Sequence, residues 1–162
     1  MASQIKGAEP IIGRIQEIFL GEMPAKLAAL DAEFCDFALQ QIQDVYIGGS
    51  DGKSTWPSIA ISEEDPTTLA PYSSGQYIAY PIVMGCINLD DGSGFQQLMR
   101  SLLRYQRAMM EILHDHKSEP GYWINIQEVK PVADGPWPTA ENKDQYAAVK
   151  GVRAWFTSTE SF

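Results

Sequence analysis

Histidine and cysteine are scarce in this chain, two of each in 162 residues, and that scarcity narrows the chemistry open to it. A structural zinc site draws about four Cys or His ligands to one point. Only Glu111, His114, Asp115 and His116 form a cluster of that kind, and no further ligand can be named beside them. Both histidines lie in that one stretch, so a Ser-His-acid arrangement has little to draw on. Cys35 and Cys86 sit in apolar surroundings and are expected to be buried free thiols, with no disulfide framework around them. Bases are also few: 12 Lys and Arg face 21 Asp and Glu, a net charge of −9. Such a surplus repels phosphate and disfavours nonspecific binding to nucleic acid or an anionic membrane. The opening MASQIKGAEP lacks the apolar core of a signal peptide, and no run is long enough to span a bilayer. The expectation is a soluble protein made inside the cell. There are no internal repeats and no low-complexity segments.

What is present suits one globular domain over residues 1–162. The apolar share is 44%, and ten prolines point to several substantial loops. A chain of this length buries roughly 70% of its unfolded surface, so a core can form without staples.

The chain is organised around FQQLMRSLLRYQRAMMEILHDH, which begins at Phe95. Phe95, Leu98, Met99, Leu102, Tyr105, Met109, Ile112 and Leu113 recur at the spacing of one helix face. Ser93 and Gln96 have the form of a capping box. From Phe95 to about His114 such a helix is roughly 28 Å long, enough to cross a small sheet. Upstream, Glu9-Pro10 opens a helix that Gly21 ends, and Pro24 begins a second. The stretch from Leu39 to Ile47 fits either a continued helix or a strand. Strands are expected over Trp56 to Ser62, Tyr77 to Leu89, Tyr122 to Lys130 and Tyr146 to Thr157. Pro81 and Gly85 argue for a bulge or an edge in the second of these. Glu63 to Gln76 and Pro131 to Gln145 read as long loops, and TSTESF as a polar tail. The expected fold is α+β: a small, mostly antiparallel sheet of about four strands, packed by one long helix and N-terminal helices.

No reactive constellation stands out in the sequence. Asp90-Asp91-Gly92-Ser93-Gly94 stands where a phosphate cradle would, but it carries two repelling carboxylates and no lysine. The carboxylate pairs at Glu63-Glu64-Asp65 and Asp90-Asp91 read as solvated turns. No catalytic residue, cofactor or metal is expected, and the chain does not read as an enzyme.

Three of five arginines, Arg100, Arg104 and Arg107, form a ridge on the polar side of the long helix. Like charges at i, i+4 and i+7 repel by a few tenths of a kcal/mol, and only Glu111 offers local relief. Either the ridge is a solvated face, or carboxylates of another copy, such as Glu63, Glu64 and Asp65, complete it. Direct contact with DNA is a third reading, weakened by the overall charge. Trp137, between Pro136 and Pro138, and Tyr72, after Pro71, are aromatics in long polar loops. They resemble interface anchors.

In this order of elements the chain resembles the tail-terminator (tail-completion) proteins of tailed bacteriophages. The resemblance covers roughly Glu9 to Thr157. It lies in the helix Pro10 to Leu20, the Pro-led strand Trp56 to Ile61 and the apolar strand Tyr77 to Leu89. The long helix with RYQRAMMEIL and the closing strand Val149 to Phe156 complete it. The second N-terminal helix and the loop Pro131 to Gln145 exceed the minimal pattern. The resemblance implies a structural virion protein, assembled in the host cytoplasm, that caps the tail tube as a homohexameric ring. Its expected partners are further copies of itself, the tail tube protein, the head–tail connector or stopper, and the sheath where a tail has one. The genome would pass the lumen without specific binding, and no membrane is involved. The arginine ridge and Glu63 to Asp65 would meet between subunits, while Tyr72 and Trp137 would touch tube or connector. Other neck or baseplate adaptor rings share the architecture. From a different class comes a small ligand-binding or metal-binding module built on Glu111, His114 and His116.

Overall fold

The computed structural model describes residues 7–48, 55–72, 75–90, 92–138 and 145–161, the side chains of 67–72, 75, 76, 137 and 161 excepted. The elements run α1 (Glu9–Phe34), β1 (Asp44–Ile47), β2 (Ser58–Glu63), β3 (Thr67–Tyr72), β4 (Gly75–Leu89), α2 (Phe95–Asp115), β5 (Asn125–Pro138) and β6 (Tyr146–Ser161). The class is α+β, as expected, with more strands and fewer N-terminal helices.

α1 is one helix where two were expected. Gly21 and Pro24 are both exposed within it, and the buried stripe Ile11, Ile15, Ile18, Phe19, Met23, Leu27 and Leu30 continues past them. Burying that stripe without a break outweighs the loss of one backbone hydrogen bond at proline. The helix stops at Cys35, which is left-handed at φ 52° and donates its N–H to Asp31 O. Cys35 is therefore exposed, against expectation, because it caps a helix end that the chain leaves; Cys86 is buried.

α2 buries Leu98, Leu102, Tyr105, Met109, Ile112 and Leu113 along the expected stripe. Its N-cap is Gly94 with no side-chain cap, so the capping box does not form. Asp90 organises the entry, its Oδ1 accepting from Gly92 N–H at 2.9 Å and Gly94 N–H at 3.2 Å.

The sheet has six strands in the order β1-β2-β4-β6-β5, with β3 also paired to β4. Among the described strands only β1 and β2 are parallel. β6 pairs β4 along its length, from Gly75↔Ser161 to Leu89↔Ala147, so the residues up to Ser161 form strand where a polar tail was expected. On its other side β4 pairs β2 from Ile82 to Ile87 and β3 from Gly75 to Ala79. Pro81 falls in the gap between those partners, where no ladder needs its missing N–H, and its O accepts from Glu64 N–H. This is how a proline stands in a central strand. Cross-strand Gly85 and Gly151 close the two backbones together: a Cβ on Gly151 would lie 2.0 Å from Met84 O.

Both expected loops contain strand. β3 returns onto β4 within Glu63 to Gln76, and β5 runs on through Pro138. β5 pairs β6 alone, so its prolines lie at an edge, and register shifts after Gln127 and Asp134 absorb its irregularities. Leu39 to Ile47 resolves into irregular chain followed by β1, and β5 begins three residues later than expected, after a tight turn bridging Glu119 and Trp123.

Ile59 and Ile61 of β2, Ile82, Met84 and Cys86 of β4, and Val152, Ala154 and Phe156 of β6 are fully buried. They join the apolar stripes of α1 and α2 in one cluster, so both helices cover the same face of the sheet. Trp123 seals one end, its ring edge-on to Phe156 at 5.0 Å and its Nε1–H donating to His116 O.

Candidate interaction surface

The three arginines of α2 share a ridge but have different surroundings. Arg104 is buried, 6% exposed, and donates to both oxygens of Asp36 at 2.7 and 2.6 Å. Its guanidinium lies over the rings of Phe34, 4.0 Å from the centroid, and Phe37, at 4.4 Å. That is bidentate pairing with cation–π contact on two rings. The guanidinium of Arg104 holds the Asp36 carboxyl far below the carboxylate range, with Phe37 N–H adding a bond at 2.7 Å. Arg107 reaches Glu33 on α1 and Glu111 one turn along its own helix. The repulsion along the ridge is therefore relieved within the chain, mainly by the end of α1. This corrects the expectation that Arg104 and Arg107 need another copy's carboxylates. Arg100 alone is exposed with no carboxylate partner among the described residues.

The acidic candidates divide in the same way. Glu64 accepts from Arg153 at 2.6 Å. Glu63, at the end of β2, and Asp65 are exposed, with no ion pair among the described residues. Tyr72 pairs Gly75 at the β3–β4 turn, and Trp137 pairs Ala147 within β5, so both stand in strands where loops were expected. Their side chains lie outside the described residues.

The candidate metal ligands do not converge. Glu111 turns to Arg107, and His114 is exposed. His116 sits between two carboxylates, its Nε2 against Glu22 of α1 and its Nδ1 3.1 Å from Glu119. Arg14 Nε donates to the other Glu119 oxygen at 2.9 Å. Burial opposes a charged imidazole here, yet the hydrogen bonds to Glu119 and Glu22 prevail and raise His116 above its ordinary value. Glu119 is lowered in turn, chiefly by His116 and then Arg14. Among the described residues no group of three or more His, Cys, Asp or Glu is placed to hold an ion. Burial pushes the Cys86 thiol far up, which leaves it inert. This His116 junction, and the seating of Arg104 on Asp36, were missed in the sequence. Apart from His116 and Glu119, three residues apart, the partners lie 68 to 105 residues apart and carry no local signal.

Two grooves flank α2. The larger, about 500 Å³, lies between its last turns and β5 and is lined by Met110, Leu113, Ile126 and Val129 with Lys26 and Lys117. The other, about 370 Å³, is lined by Phe34, Asp36, Arg100, Leu103 and Arg104. Phe34 is 43% exposed there and Leu103 51%.

No protein-family model matches this chain, and no curated protein does. Among the described residues no helix is long and apolar enough to cross a membrane.

Proposed function

We propose that the protein is a structural ring subunit of the tail-terminator type, capping a phage tail tube and joining it to the head–tail connector. One observation carries the reading. Large apolar side chains stand exposed at both edges of the sheet, Ile47 on β1 at 55% and Ile124 beside β5 at 49%, with Tyr122 and Val129 nearby. On this reading the two edges are where neighbouring subunits meet. A subunit that meets a neighbour on two different sides is what a closed ring requires. Arg14, Lys26, Arg104 and Arg107 are engaged in ion pairs that hold the α1 region to the α2 region, which suits a rigid structural subunit. In the ring the acidic surface would let a genome pass without gripping it, because unneutralised phosphates gain no counterion-release affinity. Another neck or baseplate adaptor ring fits the same observation.

Co-sedimentation with polymerised tail tubes from the same source tests it. The protein should pellet with tubes at a low ratio set by tube ends, and shearing the tubes should raise that ratio. Binding in proportion to tube length, or none, would reject a terminator.

A second reading, a small ligand-binding module, rests on the groove between α2 and β5, whose volume and apolar lining suit a small molecule. Thermal-shift screening of apolar acids would favour it if Met110→Trp abolished a ligand-induced rise.

A further inference from the structure

The second groove has one charge, on Arg100, with no carboxylate partner among the described residues. Arg104 is locked to Asp36, and Arg107 is shared between Glu33 and Glu111. Arg100 stands exposed beside Phe34 and Leu103 with no carboxylate among the described residues. A guanidinium at the rim of an exposed apolar floor suits a carboxylate carried on a compact segment, which covers the floor as the charges pair.

Among the described residues, Glu63 to Pro66 is a segment of that kind. Most of its other described carboxylates are already engaged: Glu33, Asp36 and Glu111 by the ridge, Asp115 by Lys26, Glu119 by Arg14 and Glu128 by Lys130. In Glu63-Glu64-Asp65-Pro66, Glu64 is tied to Arg153 and its N–H to Pro81 O, which fixes the turn against the sheet. Glu63 and Asp65 on either side of it are exposed. Groove and turn lie on different layers: the groove on the helices, the turn on β2 where its pairing with Ile82 ends.

We propose that the groove of Phe34, Arg100 and Leu103 takes the Glu63–Pro66 turn of a second copy. Arg100 pairs with Asp65 or Glu63, and Pro66 covers the apolar floor. With a net charge of −9, copies repel over most of their surface, so a cationic apolar patch is where one acidic turn is admitted. Two complementary patches at separate places make a head-to-tail contact, which repeats around a ring. The inference rests on the ring reading and names its contact.

A charge swap tests it, with self-association of the full chain followed by sedimentation velocity up to millimolar concentration. Arg100→Glu should weaken association roughly tenfold or more, as should Asp65→Arg combined with Glu63→Arg. Joining both changes in one chain should restore most of it. Leu103→Asp should weaken it without any rescue. All these positions are exposed, so circular dichroism should show unchanged folding. Association of Arg100→Glu and Leu103→Asp at wild-type strength, or a swap that fails to rescue, overturns the contact. A wild-type chain that is monomeric at millimolar concentration also overturns it. Capped tube ends formed by Arg100→Glu would overturn the contact while upholding the ring.

Discussion

At the scale of single residues, each charge is defined by where it finds its partner. Asp36 has a folded value far below its unfolded one of about 4, because Arg104 holds it ionised. A depressed carboxyl contributes stability that is full above the unfolded value and is lost as pH falls through the folded one. Arg104→Gln should therefore lower the urea midpoint at neutral pH and flatten the loss of stability in strong acid. Arg104→Lys should recover only part of the midpoint, since an ammonium cannot bridge both oxygens or stack on Phe34 and Phe37 in the same way. His116 has the opposite sign. Its raised value means that its contribution is full below about 6.5 and fades as pH rises through the folded value. Urea unfolding of His116→Gln across that window should show a flatter profile than the parent chain. The equal slope in both proteins would mean that Glu22 and Glu119 do not hold a charged imidazole. Gly151→Ala should cost about 1–3 kcal/mol or more, because the methyl would meet the backbone of β4. Thermal unfolding measures it.

At the scale of elements, strong apolar periodicity was legible and pairing was not. α2, β4 and β6 could be read because long apolar patterns identify them wherever the chain folds. β3 and the far half of β5 could not. Thr67–Tyr72 follows Pro66 and contains Pro71, and β5 carries Pro131, Pro136 and Pro138, the composition of a loop. Each is a strand because the long β4 and β6 offer a free side to pair with, and only the fold shows that side. The break expected at Gly21 and Pro24 failed for a related reason, since a continuous buried stripe decides against local punctuation. Pro24 is exposed and loses one helical hydrogen bond, so Pro24→Ala should raise stability by about 1–3 kcal/mol. A destabilising result in thermal unfolding would mean that α1 relies on a bend at that point. The arginine ridge was legible as spacing alone. That Arg104 is buried on Asp36 depends on the chain turning back at Cys35, which no periodicity reports.

At the scale of the whole molecule, ion pairs seam the two helices together from Arg14 to Arg107, and one sheet face carries the core. The surface carries apolar residues at both sheet edges and a groove with the exposed Arg100 at its rim. On the proposed reading such a body meets a neighbour on each side. Ile124→Lys, at the β5 edge, should leave the fold intact and reduce assembly, because it puts a charge into exposed apolar surface. The most direct measurement is negative-stain imaging of the purified protein, alone and mixed with tail tubes from the same source. The account predicts six-fold rings, or tubes of fixed length with capped ends. Tubes that keep growing, beside protein that never associates with itself or with them, would contradict it.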